Sequence, residues 1–270
     1  MRTRLGRRAS VLALATLAVA ALVTAAPATA MVNGTADTAH PEAGALYFSS
    51  GPTGDRSFAC SGALIDQQTF LTAAHCFADY VRAVGTLPTA WVTFDQHPTA
   101  SSSYLSGRIV LDPLFDKTVT RNNLYANDVH DFAVVQLDAN PGITPARLPA
   151  LGASSSLPSG QRLTVVGYGT SVTQGGGAPT YPPTDQREAA TLTLRTTTGS
   201  WLHENQNPTL GNGGACAGDS GGPNYLGDTH VVLATTVTGD MVCRATNVAI
   251  RLDTPTAQAF LGGQVTYPLH

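Results

Sequence analysis

Ser220 stands in CAGDSGGPNYL, residues 216–226, with glycines at 218, 221 and 222 and an acid, Asp219, beside it. Glycine permits backbone conformations closed to other residues and lets another group approach closely. A serine hydroxyl becomes a nucleophile only with a base within hydrogen-bond reach and a third group that orients the base. Seven histidines are available, at 40, 75, 97, 130, 203, 230 and 270. His75 differs from the others in its setting, FLTAAHCF: it follows an apolar strand and an Ala-Ala turn, and Cys76 beside it can pin that turn. His40, His97 and His270 lie near prolines or the chain end, with nothing around them to fix a ring. For the acid, Asp131 heads the apolar run DFAVVQL. A carboxylate at the mouth of a buried strand is costly unless it is paired, and a histidine N–H would pair it. Asp128, three residues earlier in a polar stretch, is the competing acid.

The elements that must position these residues read as β-structure. Short β-branched and apolar runs recur between turn residues: ALYF, SGALI, TFLTAA, AWVTF, GRIVL, DFAVVQL, RLTVVGYG, ATLTLRT, HVVLATTV and NVAIRL. Runs of this length and spacing indicate an all-β sandwich or barrels. A short helix is expected after His75. A terminal helix is expected over TPTAQAFL, with Thr254 as N-cap and Pro255 in its first position. The Pro-, Ser- and Gly-rich stretch from Asn140 to Gly160 separates two groups of strands. Residues 170–186, TSVTQGGGAPTYPPTDQ, read as an exposed loop open to proteolytic nicking.

The chain has 270 residues and opens on four arginines in eight positions, then a long Ala- and Leu-rich run, then Ala28-Thr29-Ala30. This is the plan of a secretory signal peptide cleaved after Ala30. The alternative is an N-terminal membrane anchor, since the run approaches spanning length. Loss of residues 1–30 leaves 11 basic against 18 acidic residues, a net charge of −7. That balance opposes nucleic-acid binding, which depends on Lys and Arg against phosphate. The cysteines, 60, 76, 216 and 243, all follow the signal segment, and an even count outside the cytoplasm suggests two disulfides. Spacing leaves three pairings open. No C-x-x-C is present, and no acidic cluster suited to calcium follows His75, so neither metal nor cofactor is expected.

TAAHC around His75, DFAVVQL around Asp131 and GDSGGP around Ser220, in that order, resemble the chymotrypsin/trypsin-like serine proteases over nearly all of residues 31–270. The resemblance implies two packed six-stranded antiparallel β-barrels with a short C-terminal helix, the first over about 31–145 and the second over about 146–270. It implies a catalytic triad of His75 as base, Asp131 as its orienter and Ser220 as nucleophile, with the N–H groups of Gly218 and Ser220 as the oxyanion hole. It selects the pairings Cys60–Cys76 and Cys216–Cys243. It also implies that a new N-terminal ammonium at Met31 turns inward and pairs with Asp219, so that Asp219 is structural. Met31 and Asn33 depart from the family's usual Ile-Val-Gly-Gly start. Methionine can fill the same pocket, and asparagine tolerates unusual backbone angles. A cut after Ala30 would leave no propeptide, hence maturation on secretion.

The family's specificity pocket has its floor six residues before the nucleophile, here Gly214. The facing wall is expected from Thr236 to Gly239 and from the strand around Asn247. An uncharged, open pocket points to apolar or aromatic residues before the scissile bond, with Asp240 adding some basic preference at the rim. The expected protein is thus a secreted, monomeric endopeptidase acting on polypeptides and open to protein inhibitors. Two other classes compete. A catalytically silent, protease-like binding module would usually lack a triad residue. An esterase on an α/β-hydrolase scaffold matches G-x-S-x-G formally, but there the histidine and acid follow the serine.

Overall fold

The computed structural model describes residues 31–116, 128–170 and 186–265. The signal segment 1–30, most of the loop assigned to 170–186, and His270 lie outside the described residues.

Six strands close the first barrel: β2 (Ala43–Ser49), β3 (Ser57–Asp66), β4 (Thr69–Thr72), β5 (Thr89–Thr93), β6 (Leu105–Leu111) and β7 (Ala133–Leu137). They run antiparallel in the order β2-β3-β4-β7-β6-β5, and β5 returns to β2. The second barrel consists of β8 (Arg162–Gly167), β9 (Glu188–Thr198), β10 (Trp201–Asn205), β11 (Pro223–Leu226), β12 (Val232–Gly239) and β13 (Thr246–Arg251). Its order is β9-β10-β13-β12-β11-β8, and pairing of β8 with β9 closes it. Closure removes the exposed edges that an open sheet would present. The resembled architecture is therefore the observed one.

Each barrel has its own core. Leu46, Leu64, Phe70, Phe77, Val92 and Val135 fill the first. Leu163, Val165, Leu192, Leu202 and Leu233 fill the second. A third cluster lies between the barrels, with Leu71, Phe132 and Val134 meeting Val166, Tyr225 and Val232. The chain ends are exchanged across this joint. The two-residue β1 (Thr35–Ala36) pairs with β9 of the second barrel, Thr35 opposite Ala189. Helix α2 (Pro255–Leu261) follows the second barrel but stacks Phe260 on Phe132 of the first, centroids 6.3 Å apart. As the sequence indicated, Thr254 caps α2, its hydroxyl accepting from Ala257 N at 3.2 Å, with Pro255 in the first turn. Helix α1 (His75–Val84) starts at His75. Among the described residues no helix is long and apolar enough to cross a membrane.

Three strands escape the hydrophobic reading. β1 has two residues, and β11 lies inside the serine motif. β10, WLHEN, places Glu204 on the same buried face as Leu202.

Candidate active site

His75 and Asp131 meet because of strand register. β4 is buried throughout and pairs with β7, Thr72 opposite Ala133. Two steps further along that antiparallel pair, residue 74 comes opposite residue 131. The chain turns there through the fully buried Ala73 and Ala74 into α1. The first N–H groups of a helix have no intrahelical acceptor, and Ala74 offers no side-chain cap. Asp131 supplies it, since Oδ1 accepts from His75 N at 2.8 Å. Its Oδ2 lies 2.7 Å from His75 Nδ1. With the proton on Nδ1, Nε2 carries the lone pair.

Pairing with an acid does not by itself single out His75. His130 lies 3.1 Å from Asp112 and His230 2.8 Å from Glu42. His40 corrects an expectation: its ring is fixed, with Nδ1 2.9 Å from Asp37 and a stack on Tyr225 at 4.4 Å. Asp128 serves its own loop, accepting from His130 N and Asp116 N. What sets His75 apart is its nearness to the Ser220 loop. The adjacent Cys76 Sγ lies 4.0 Å from Ser220 O, and Ser61 N of β3 donates to that same carbonyl at 2.9 Å.

The 216–222 loop is held at several points. Thr170 donates to Ala217 O through its N–H at 2.7 Å and its hydroxyl at 3.1 Å. Ser61 Oγ donates to Gly218 O at 3.0 Å, and Gly221 N to Thr236 O at 2.8 Å. Asp219 is fully buried and accepts from Gly169 N and Cys216 N, each at 2.8 Å. Burial pushes its carboxyl up to about 7 against the pull of those two N–H groups, and the negative charge of Glu188 adds to the rise. Among the described residues, Gly218 N and Ser220 N donate to nothing. The peptide is trans, so fixing the Ala217 carbonyl on Thr170 turns the Gly218 N–H the opposite way. Gly218 adopts φ +93°, and a Cβ there would lie 2.7 Å from Phe58 Cε1. Glycine is required on both counts.

The disulfides are Cys60–Cys76 and Cys216–Cys243. Cys60, His75 and Cys76 are close enough to suggest a metal site, but the two sulfurs are committed to each other.

Met31 is fully buried, and its N–H donates to Glu188 Oε2 at 2.9 Å rather than to Asp219. Glu188 was not singled out in the sequence; its only signal was an acid at the start of an alternating strand. Asn33 takes φ +53° and donates from Nδ2 to Asn212 O. Of the four residues expected to line a specificity pocket, Gly214 bridges to Val32. Thr236 and Gly239 lie on β12, paired with Ala249 and Asn247 of β13. Asn247 donates from Nδ2 to Glu204 Oε2 at 2.7 Å.

A sequence profile of the trypsin family matches residues 31–259. Glucanase inhibitor protein 1 of Phytophthora sojae is 29% identical over 202 residues, covering 70% of this chain and 71% of that protein. Serine protease 7 of Drosophila melanogaster is 29% identical over 132 residues, 44% of this chain and 33% of that protein. Among solved structures, HL collagenase superposes with a TM-score of 0.64 at 19% identity, covering 87% of this chain and all of that one. At that identity the likeness concerns the fold alone.

Proposed function

This chain belongs to the trypsin family, and on that footing we propose that it is a secreted serine endopeptidase working through an acyl-enzyme. The observation that carries the reading is the pair of unspent donors, Gly218 N and Ser220 N, beside a half-buried serine. Both residues are only partly buried, so the two N–H groups remain open to an arriving acceptor. Here the acceptor is the oxyanion formed when Ser220 Oγ adds to the scissile carbonyl, and each such donor contributes about 3 kcal/mol to the transition state.

In this reading His75 Nε2 takes the Ser220 proton as the C–O bond forms. It returns the proton to the leaving amine as the C–N bond breaks. Water then repeats the cycle on the ester. Asp131 keeps the ring in the tautomer this requires and stabilises its charged form. Two disulfides and the signal-like residues 1–30 support secretion. If the chain is cut after Ala30, the Met31 ammonium enters a site flanked by Glu188 and Asp219. It would pair with Asp219 while keeping the contact with Glu188 that its N–H already makes.

A second reading, protein binding without turnover, is favoured by one observation, the inhibitor named among the relatives. Incubating the secreted protein and its Ser220→Ala variant with a diverse peptide mixture, and reading new termini by mass spectrometry, separates the two. Cleavage by the wild type alone supports the endopeptidase. Cleavage by neither, from a chain shown by intact mass to begin at Met31, overturns it in favour of binding.

A further inference from the structure

The outer face of the first barrel carries an aromatic row. Leu46, Phe48, Ala90 and Val92 turn into the core, so by strand alternation Tyr47 and Trp91 turn outward. Tyr47 of β2 pairs with Trp91 of β5 on one side and with Phe58 of β3 on the other. All three residues are half-buried. The Tyr47 ring meets Phe58 edge-on at 5.6 Å and Tyr104 at 5.2 Å. Phe58 ends the row beside the candidate active site, since a Cβ on Gly218 would lie 2.7 Å from its Cε1.

The far end of the row holds a cation. The Arg56 guanidinium lies 4.2 Å over the Trp91 ring and 4.7 Å over the Tyr104 ring. Both rings are themselves fixed: Trp91 Nε1 donates to Ser49 Oγ at 2.8 Å, and the Tyr104 hydroxyl donates to Thr99 O at 3.1 Å. Stacking uses the flat faces of a guanidinium and leaves its N–H groups, which lie in its plane, for an acceptor. Among the described residues no hydrogen bond or ion pair engages those N–H groups. This is so in a chain with 11 basic against 18 acidic residues after position 30. The rings also hold the group in place before any ligand arrives, so little side-chain freedom is left to lose on binding. Arg56 is exposed and opens on a cleft of about 590 Å³, lined also by Tyr47, Pro52, Asp55, Pro98 and Tyr104.

We propose that this cleft is a second binding site, outside the triad, for an acidic side chain of the bound polypeptide, whose carboxylate Arg56 takes on two parallel N–H bonds. The occupant is the segment of substrate that leaves with the amine, and that identification rests on the protease reading above. The Ser220 loop is tied to β12 by Gly221 N on Thr236 O, and to β3 by Ser61 N on Ser220 O. β12 is the expected wall for the residue before the scissile bond, so β3 and Phe58 border the segment after it. From Phe58 to Trp91 is two strand spacings, about 10 Å, which an extended chain crosses in about three residues. The acid therefore belongs about four to six residues after the scissile bond. Asp55 shares the cleft, and its charge opposes the incoming acid and weakens its binding.

The test has two arms, both with C-terminally amidated peptides, so that a side chain is the source of the carboxylate. In the first, peptides carrying glutamate or glutamine at the fourth, fifth or sixth residue after the scissile bond are given to the wild type, Arg56→Gln and Asp55→Asn. At one of these positions the wild type should favour glutamate by about two- to five-fold in kcat/KM, the range of an exposed ion pair, through KM with kcat unchanged. Arg56→Gln should remove that ratio without changing turnover of the glutamine peptide, and Asp55→Asn should raise it. A ratio of one at all three positions, or one that survives Arg56→Gln, overturns the proposal. The second arm needs no turnover: peptides with glutamate or with glutamine at all three positions are titrated calorimetrically into Ser220→Ala, with and without Arg56→Gln. Tighter binding of the glutamate peptide, lost with Arg56→Gln, supports the cleft even if no peptide is cut and the protease reading fails. Equal binding of the two peptides counts against the cleft even if peptides are cut.

Discussion

Asp131 grips His75 at two points, one carboxylate oxygen on the backbone N–H at 2.8 Å and the other on ring Nδ1 at 2.7 Å. One side chain thus caps helix α1 and aims its first residue. Backbone position and ring orientation are set by the same group, so the imidazole cannot turn without breaking the cap. The acid is fully buried, and His75 is 6% exposed.

Asp131→Asn separates these two tasks. The amide oxygen can still accept from His75 N. The amide nitrogen can only donate to ring Nδ1, which moves the ring proton to Nε2 and removes the base. The expected loss in kcat is about four orders of magnitude, with the thermal midpoint changed by a few degrees at most. Peptide turnover and a melting curve on the same sample check this.

Gly218→Ala puts a Cβ 2.7 Å from Phe58 at φ +93°. A side chain held in that region costs about 1–3 kcal/mol. If the loop relaxes instead, the Gly218 N–H swings away from the oxyanion, and kcat should fall by about 10²–10³ with KM little changed. Urea unfolding and steady-state kinetics distinguish strain from relaxation.

Glu204 makes stability depend on pH. Burial lifts its carboxyl to about 8, against the bond from Asn247. Between the ordinary carboxylate value and about 8, the folded state keeps a proton that the unfolded chain releases. Stability therefore falls as pH rises through that window, by about 1.4 kcal/mol per pH unit from this group, and levels off above it. Asp219, raised to about 7, acts in the same direction. Glu204→Gln should flatten the decline, its advantage over the wild type growing from pH 5 to 8 and then holding. Urea midpoints across pH 5–9 measure it.

Gly214→Asp, the substitution that would place a charge on the expected pocket floor, should fail to produce Lys/Arg preference by itself. Gln206 already fills that volume, and overpacking a buried site costs about 1–3 kcal/mol. Shortening the obstacle as well, in Gly214→Asp with Gln206→Ser, should restore stability and raise the lysine/norleucine ratio. Melting curves and kcat/KM on peptides differing only in lysine or norleucine before the scissile bond report both effects.

The strands were legible where alternation was apolar: ALYF, TFLTAA and HVVLATTV became β2, β4 and β12. β10 was not legible, because its inward positions, Leu202 and Glu204, and Gln206 just beyond it, abandon apolar alternation. His40 is held by a contact that the local sequence does not carry. Asp37 is three residues away, but the ring is trapped by Tyr225 from the other barrel, 185 positions along the chain. Capping by Thr254 is local, so Thr254 and Pro255 could be read directly, whereas the cap of α1 comes from Asp131, 56 residues further along the chain.

By itself the sequence determined which groups this protein can bring to a reaction and in what order. Hydroxyl, imidazole and carboxyl sit in motifs whose immediate neighbours suit them to that work. Only the tertiary structure decided who meets whom. Register between β4 and β7 brought Asp131 to His75, and the crossing of the N-terminal segment gave Met31 to Glu188, 157 residues away. Closure of the second barrel laid Gln206 over Gly214. Alternation and turns are settled within a few residues, whereas contacts at the ends of strands depend on how a barrel closes, and no local pattern encodes that.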